Sequence, residues 1–283
     1  MIIDTHQHIW NLDLLEYSWL VPEYGPLYRT YEPRELEPQL KAAGVDYTVL
    51  VQAANSYDDT NYMLRQADNF PWIIGVVGWV PLDNPREAAA MLDRKYLKHP
   101  NFCGIRHLIH EEQDANWLSR KLVIESLGLL AERDLTFDVV SVLPSQLKHV
   151  SKLAEKLPKL RIVIDHLSKP PIKDKGWNPW AKQMAECAEY PNVYAKVSGL
   201  NTSADWNTWS ATDLKPYIDY VVEKFGADRL MFGSDWPVAV LAGGYQKVKV
   251  ETQKAISQLV KSQREAIWSK TAIKFYDLKK LLL

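Results

Sequence analysis

At 283 residues, with 47% hydrophobic and 24% charged side chains, the chain has ordinary globular composition and enough length to bury one large core, which argues against a disordered or fibrous protein. Lys and Arg number 34 against 35 Asp and Glu, a formal net charge of −1, so no polycationic field exists to hold nucleic acid or an anionic membrane. The opening MIIDTHQHIW has no basic segment followed by an apolar one, and no stretch reaches the roughly 18 consecutive apolar residues of a membrane span, so a cytoplasmic protein is expected.

Eight apolar, β-rich runs occur in order, at residues 1–9, 47–52, 73–82, 103–109, 136–142, 161–167, 193–200 and 230–238. Helical periodicity follows each run, the pattern of repeated βα units on a parallel sheet. Pro85 and Pro144 stand where helices can begin, since the missing N–H costs nothing there. Leu147, Val150, Ala154 and Leu157 form one apolar stripe, and Tyr217, Ile218, Val221, Val222 and Phe225 form another that Gly226 can cap. No GxGxxG or GxxxxGK[ST] turn is present, and no linker or repeat divides the chain. The expectation is a single-domain (β/α)8 TIM barrel spanning residues 1–283.

Two long connections, 11–34 and 201–213, are rich in Trp and Tyr and would be βα loops walling a pocket on the catalytic face. The chain holds 11 Trp, 14 Tyr and 6 Phe, and indoles beside a pocket stack well on sugar C–H faces. Cys103 and Cys187 lie far apart, outside CxxC spacing, and read as small buried hydrophobes. The terminal WSKTAIKFYDL reads as a last helix closing the barrel base.

His6 and His8 are two apart on the first run, so the strand period sends both side chains to one face, with Asp4 below them. His166 closes the sixth run and Asp235 falls near the end of the eighth. In a barrel these four groups meet at the C-terminal mouth, where barrel enzymes keep their chemistry. Arg106 shares parity with Leu108 and His110 on the fourth run, while His107 has the opposite parity and should pack outward. His99 and His149 fall on helices and are expected to face solvent.

The segments DTHQHIW, GIRHLIH, VIDHLSKPP, KVSGL and FGSDWPV resemble the amidohydrolase superfamily, in its sugar-lactone hydrolase branch of L-fuconolactonase and L-rhamnonolactonase type, related to 2-pyrone-4,6-dicarboxylate lactonase. The resemblance runs from the first strand to the final helix and implies hydrolysis of an ester or lactone on a (β/α)8 barrel. His6, His8, His166 and Asp235 would take the superfamily positions on the first, sixth and eighth strands. Two departures matter: binuclear members need a bridging Lys from the fourth strand and a His from the fifth, and this chain has CGIRHLI and TFDVVSV there. A two-metal mechanism is therefore not expected. Three imidazoles and one carboxylate are the donor types of a mononuclear Zn²⁺ site, so His6, His8, His166 and Asp235 could bind one divalent ion. Related lactonases of this branch work without a metal, and no cofactor is expected to be required.

In the metal-free reading Asp235 is the general base that takes a proton from water as it attacks the lactone carbonyl. His6, His8, His166 and Arg106 stabilise the oxyanion, with one histidine protonated beside Asp235. Trp79, Lys196, Ser198, Gln52, Trp19 and Trp236 are the expected substrate contacts; Trp10, Tyr28, Trp206 and Trp209 also lie in or beside the loops. The expected partner is a small sugar lactone such as L-fucono-, L-rhamnono- or L-galactonolactone, with no nucleic acid or membrane and with a homo-oligomer left open. The alternatives are a Zn-dependent decarboxylase on the same barrel and a non-catalytic sugar-binding barrel.

Overall fold

The computed structural model describes residues 1–278; the rest of the expected span, 279–283, lies outside them. Eight strands form one sheet: β1 (Ile3–Gln7), β2 (Tyr47–Val51), β3 (Ile73–Gly78), β4 (Phe102–His107), β5 (Thr136–Val139), β6 (Arg161–Ile164), β7 (Val193–Val197) and β8 (Leu230–Phe232). They pair in parallel and in chain order. Between them run α1 (Pro33–Ala43), α2 (Tyr57–Asn69), α3 (Pro85–Arg94), α4 (Lys121–Glu132), α5 (Pro144–Lys156), α6 (Trp180–Ala188) and α7 (Ala211–Phe225), with α8 (Gly244–Ala255) after β8. The architecture is the expected (β/α)8 barrel.

The helices follow their sequence signals. Pro85 and Pro144 open α3 and α5, and Gly226 caps α7 with φ 77°. Leu147, Val150 and Ala154 on α5, and Tyr217, Ile218, Val221 and Phe225 on α7, are the buried stripes. No helix among the described residues is long and apolar enough to cross a membrane.

The observed strands stop short of the apolar runs at their C-terminal ends; the third ends at Gly78 and the eighth at Phe232. Apolar residues continue beyond because the loops wall a buried pocket, so composition does not mark where the ladder ends. His149 is buried on α5, with its Nδ1 2.9 Å from Ser119 Oγ, and His99 follows a short 3₁₀ turn and lies 3.2 Å from Asp68. Both are covered rather than solvent-facing, because the loop before α4 and helix α2 supply polar partners that helical periodicity does not reveal.

The seam between β8 and β1 closes through a few bonds. Asp235 N donates to His6 O and His8 N donates to Trp236 O, both at 2.7 Å. The Asp4 carboxylate ties the same seam from within, accepting from Ser234 N at 2.8 Å and Tyr245 OH at 3.1 Å. The lower interior is filled by Ile3, Val49, Val51, Val77, Val163 and Met231. Phe275, Tyr276 and Leu278, after the turns Ala266–Lys270 and Thr271–Phe275, join that cluster and close the base. Tyr276 reaches further up and donates its hydroxyl to Asp138 Oδ2 at 2.7 Å. Tyr276→Phe is expected to lower stability by about 1–3 kcal/mol, read by equilibrium urea unfolding, because it removes one of the two donors to the buried Asp138 Oδ2; unchanged stability would show that the tail contributes only its apolar surface.

Candidate active site

The seam places the chemistry. His6 points into the barrel from β1, and His8 follows one residue past its end, so their Nε2 atoms lie 3.2 Å apart. His8 Nδ1 is 2.7 Å from Val51 O and donates to it, which leaves the His8 Nε2 lone pair facing inward. Asp235 Oδ1 stands 3.5 Å from His8 Nε2, 3.8 Å from His166 Nε2 and 3.9 Å from His6 Nε2. His166 Nδ1 is fixed by Ser198 Oγ at 2.9 Å.

Neither His166 nor Asp235 is held by a strand. β6 ends at Ile164, and His166, Leu167, Ser168 and Lys169 all adopt positive φ, between 49° and 58°; Asp235 has φ 58°. Non-glycine residues rarely adopt this left-handed conformation, and the surrounding packing holds them there. Gly199 meets them at φ 57°, where a Cβ would fall 2.6 Å from His166 Nδ1 and 2.7 Å from Asp235 Oδ2, so only glycine fits.

Beneath the histidines lies a buried charged layer. Lys196, fully buried on β7, contacts Asp138 Oδ2 at 2.5 Å, Asp165 Oδ1 at 3.1 Å and His6 Nδ1 at 3.1 Å. Arg106 Nη1 lies 3.3 Å from both Asp165 Oδ2 and His6 Nε2, and its Nη2 donates to the Gln52 carbonyl. Burial would raise the Asp165 carboxyl, but Lys196, His6 and Arg106 together hold it well below its usual range. Burial pushes the Asp138 carboxyl up to about 6 against the pull of Lys196.

The same desolvation governs the imidazoles. Burial lowers His6, His8 and His166 despite the neighbouring carboxylates, His166 to about 3. Desolvation therefore disfavours the protonated histidine expected beside Asp235: removing the ring from water outweighs the attraction of one carboxylate. Asp235 is the reverse case. Burial would raise it, but its polar neighbours His166 and His8 and the Lys169 ammonium hold the carboxyl below its ordinary value.

These groups floor a cavity of about 250 Å³. Leu27, Leu108, Val140, Val142, Val238 and Leu241 give it an apolar wall, Trp19 and Tyr24 from the long first loop cover it, and His110 and Lys169 complete it. His6, His8, His166, Asp235 and Arg106 therefore meet as a group, with His6 just behind the wall. Of the six expected substrate contacts, only Trp19 lies on that wall. Lys196, Ser198 and Gln52 sit behind it, paired to His6, His166 and Arg106 respectively. Shared parity sends Lys196 inward, but below the cavity instead of into it. Trp236 is buried edge-on against Tyr31, and Trp79 Nε1 donates to His107 Nδ1 at 3.0 Å. His107 packs outward as its parity requires, stacked on Trp117 with its Nε2 2.8 Å from Glu112.

Sequence reasoning misses Lys169, Asp165 and Asp138. Lys169 Nζ donates to Gly199 O at 3.1 Å and Thr202 Oγ1 at 2.7 Å and stands 3.8 Å from Asp235 Oδ2. It belongs to the quoted VIDHLSKPP segment, but the left-handed turn breaks the parity by which it could be placed. Asp138 does leave a signal, a carboxylate within an otherwise apolar strand.

Two groups of donor atoms among the described residues could hold a metal ion, His6 with His8 and Asp235, and His6 with Asp165 and His166. They share His6, and β4 and β5 offer Arg106 and Asp138 in place of a bridging lysine and a histidine.

The chain is 37% identical over 246 residues to an L-fucono-1,5-lactonase of Burkholderia ambifaria, covering 86% of this chain and 82% of that one. It is 33% identical to an L-fucono-1,5-lactonase of Burkholderia multivorans, over 98% of this chain and 96% of the other. A crystal structure of an amidohydrolase from Burkholderia multivorans with bound zinc superimposes with a TM-score of 0.90 at 30% identity, covering 98% of this chain and 99% of that one. Residues 3–278 match the amidohydrolase family, and with the barrel and the strand-end histidines and aspartate in place, the chain belongs to that family.

Proposed function

We propose that the protein hydrolyses a sugar lactone to its aldonic acid, in cytoplasmic sugar catabolism, with Asp235 as general base. The observation that carries this reading is an ionised Asp235 carboxylate on the cavity floor among three neutral imidazoles, with Arg106 and Lys169 lining the same space. The lactonase names of the two Burkholderia relatives support it.

Water held by Asp235 attacks the lactone carbonyl carbon, and its proton passes to Asp235. Negative charge leaves the carboxylate as it appears on the carbonyl oxygen, and both positions face the cations Arg106 and Lys169. The low basicity of Asp235 is thus little handicap, because the Lys169 ammonium beside it is also available to the oxyanion. Collapse of the intermediate breaks the ring C–O bond, and Asp235 returns the proton to the departing ring oxygen. Substituting Asp235→Asn is expected to lower kcat by about 10²–10⁴-fold; near-parental turnover would exclude Asp235 as the base, and a parent protein that binds sugar lactones without turning them over would indicate a sugar-binding barrel.

The donor set also fits one divalent ion. His6 Nε2, His8 Nε2 and Asp235 Oδ1 are 3.2, 3.5 and 3.9 Å apart, near the edge of about 3.3 Å in a tetrahedron with zinc bond lengths. When bound, such an ion would supply Lewis-acid polarisation of the carbonyl and of water. We read it as dispensable because Arg106 and Lys169 already bring positive charge to the cavity. Chelator-treated protein, with metal content determined on the same sample, is expected to release acid from aldono-1,5- or 1,4-lactones in a pH-indicator assay. Activity that returns only with Zn²⁺ would move His6, His8 and Asp235 to ligand roles, and silence in both states would favour the decarboxylase. Within that panel the apolar wall favours a methyl over a hydroxymethyl terminus, so L-fuconolactone is expected to exceed L-galactonolactone in kcat/KM by about 10- to 100-fold.

The pH profile separates neutral from protonated histidine. Burial pushes His166 down to about 3, so its acid form is scarce near neutral pH. No acid limb is expected near the ordinary imidazole value of about 6.5; a limb there that disappears in His166→Gln would contradict the neutral assignment.

A further inference from the structure

A neutral imidazole has one N–H and one lone pair, yet a cation stands at each nitrogen of His6. Lys196 Nζ lies 3.1 Å from Nδ1, and Arg106 Nη1 lies 3.3 Å from Nε2. Only one of them can donate to the ring. We infer that Lys196 is the donor, that His6 therefore carries its proton on Nε2, and that Lys196 is a positioning residue which keeps the His6–His8 pair closed to a metal ion.

Three features of the site favour this assignment. Lys196 is fully buried, donates to Asp138 Oδ2 at 2.5 Å and is placed to donate to His6 Nδ1, with Asp165 Oδ1 3.1 Å away as an ion-pair partner. Arg106 Nη1 does not need the ring, because Asp165 Oδ2 accepts from it at 3.3 Å. The His8 proton is committed to Val51 O, so His8 Nε2 is a bare lone pair 3.2 Å from His6 Nε2. A proton on His6 Nε2 turns that contact into a hydrogen bond. The opposite tautomer would set two lone pairs against each other and, although Asp165 Oδ1 lies 3.2 Å from His6 Nδ1, would press the Nδ1–H against the Lys196 ammonium at 3.1 Å. The protons then run in one direction, from Lys196 to His6, from His6 to His8, and from His8 to the β2 carbonyl.

This order bears on the metal. His6 Nε2 and His8 Nε2 are two of the three donors in the His6, His8 and Asp235 group. An ion can use both lone pairs only if the His6 proton moves to Nδ1, where the Lys196 ammonium already points. With Lys196 gone, a proton on Nδ1 would face the Asp165 carboxylate, the arrangement by which outer carboxylates orient metal-ligating histidines. Lys196 thus sets whether His6 and His8 form a proton chain or offer two lone pairs to a metal ion. The inference concerns the site of the proposed lactonase but does not rest on its substrate, and neither measurement below involves turnover.

The first measurement is the ¹⁵N spectrum of chelator-treated protein carrying ring-labelled histidine, with His6 assigned by difference from His6→Asn. A proton on Nε2 of His6 is expected; a proton on Nδ1 overturns the assignment. The second is the Kd for Zn²⁺, by competition with a chromophoric chelator, for the parent and for the double variant Lys196→Met, Asp138→Asn. Removing both members of the buried pair leaves neither charge stranded and keeps the net charge constant, so a change in affinity is not a bulk electrostatic effect. Zinc binding about 10- to 100-fold tighter in the double variant is expected, the scale that outer partners of a metal ligand command; unchanged or weaker binding overturns the positioning role. If the double variant fails to fold, the spectrum of the parent protein decides alone.

Discussion

The closing of the barrel between its last and first strands is the constraint on which the site depends. The bonds that join β8 to β1 are made by the backbones of His6, His8, Asp235 and Trp236, so the sheet cannot close without bringing the catalytic side chains together. Asp4 reinforces the seam from inside, at the cost of burying a carboxylate whose pKa rises to about 6 because desolvation outweighs its bonds to Ser234, His6 and Tyr245. Fold stability and site geometry are the same set of contacts here.

Electrostatics then divides the interior into two levels. The upper level holds neutral imidazoles and one ionised carboxylate around the cavity, and the lower holds Arg106 and Lys196 interleaved with Asp138 and Asp165. Each lower charge touches one of opposite sign, the condition under which buried ions are tolerated. Lys196 stays below the cavity and sets the state of His6 above it, whereas Arg106 spans both levels and lines the cavity. The superfamily's binuclear members use a fourth-strand lysine and a fifth-strand histidine near this place, and this chain offers Arg106 and Asp138 in those strands.

Strand periodicity made the barrel and the meeting of His6, His8, Arg106, His166 and Asp235 readable in advance, because period two and the barrel rule together fix a direction and an end. It failed where the backbone leaves the strand. Lys169 enters the cavity through consecutive left-handed residues, a path no alternation rule describes. It failed again in depth: parity says that Lys196 and Ser198 point inward, but not whether they reach the cavity or stop below it. The tryptophans illustrate a third limit. Trp10, Trp209 and Trp236 are buried with their rings anchoring loops, Trp206 is exposed, and Trp19 alone among these reaches the cavity, because a large indole satisfies loop packing and ligand stacking equally well from composition.

The bond from Ser234 to Asp4 spans 230 positions of sequence, and that from Tyr276 to Asp138 spans 138. During synthesis His6 and His8 emerge first, yet the strand that closes over them, and the tyrosine that satisfies the layer beneath, come near the end. A nascent barrel of six or seven strands leaves the β1 edge unpaired, an aggregation hazard that lasts until β8 arrives. No chain that stops before β8 can present the histidines with Asp235, so the site is finished only as the barrel closes.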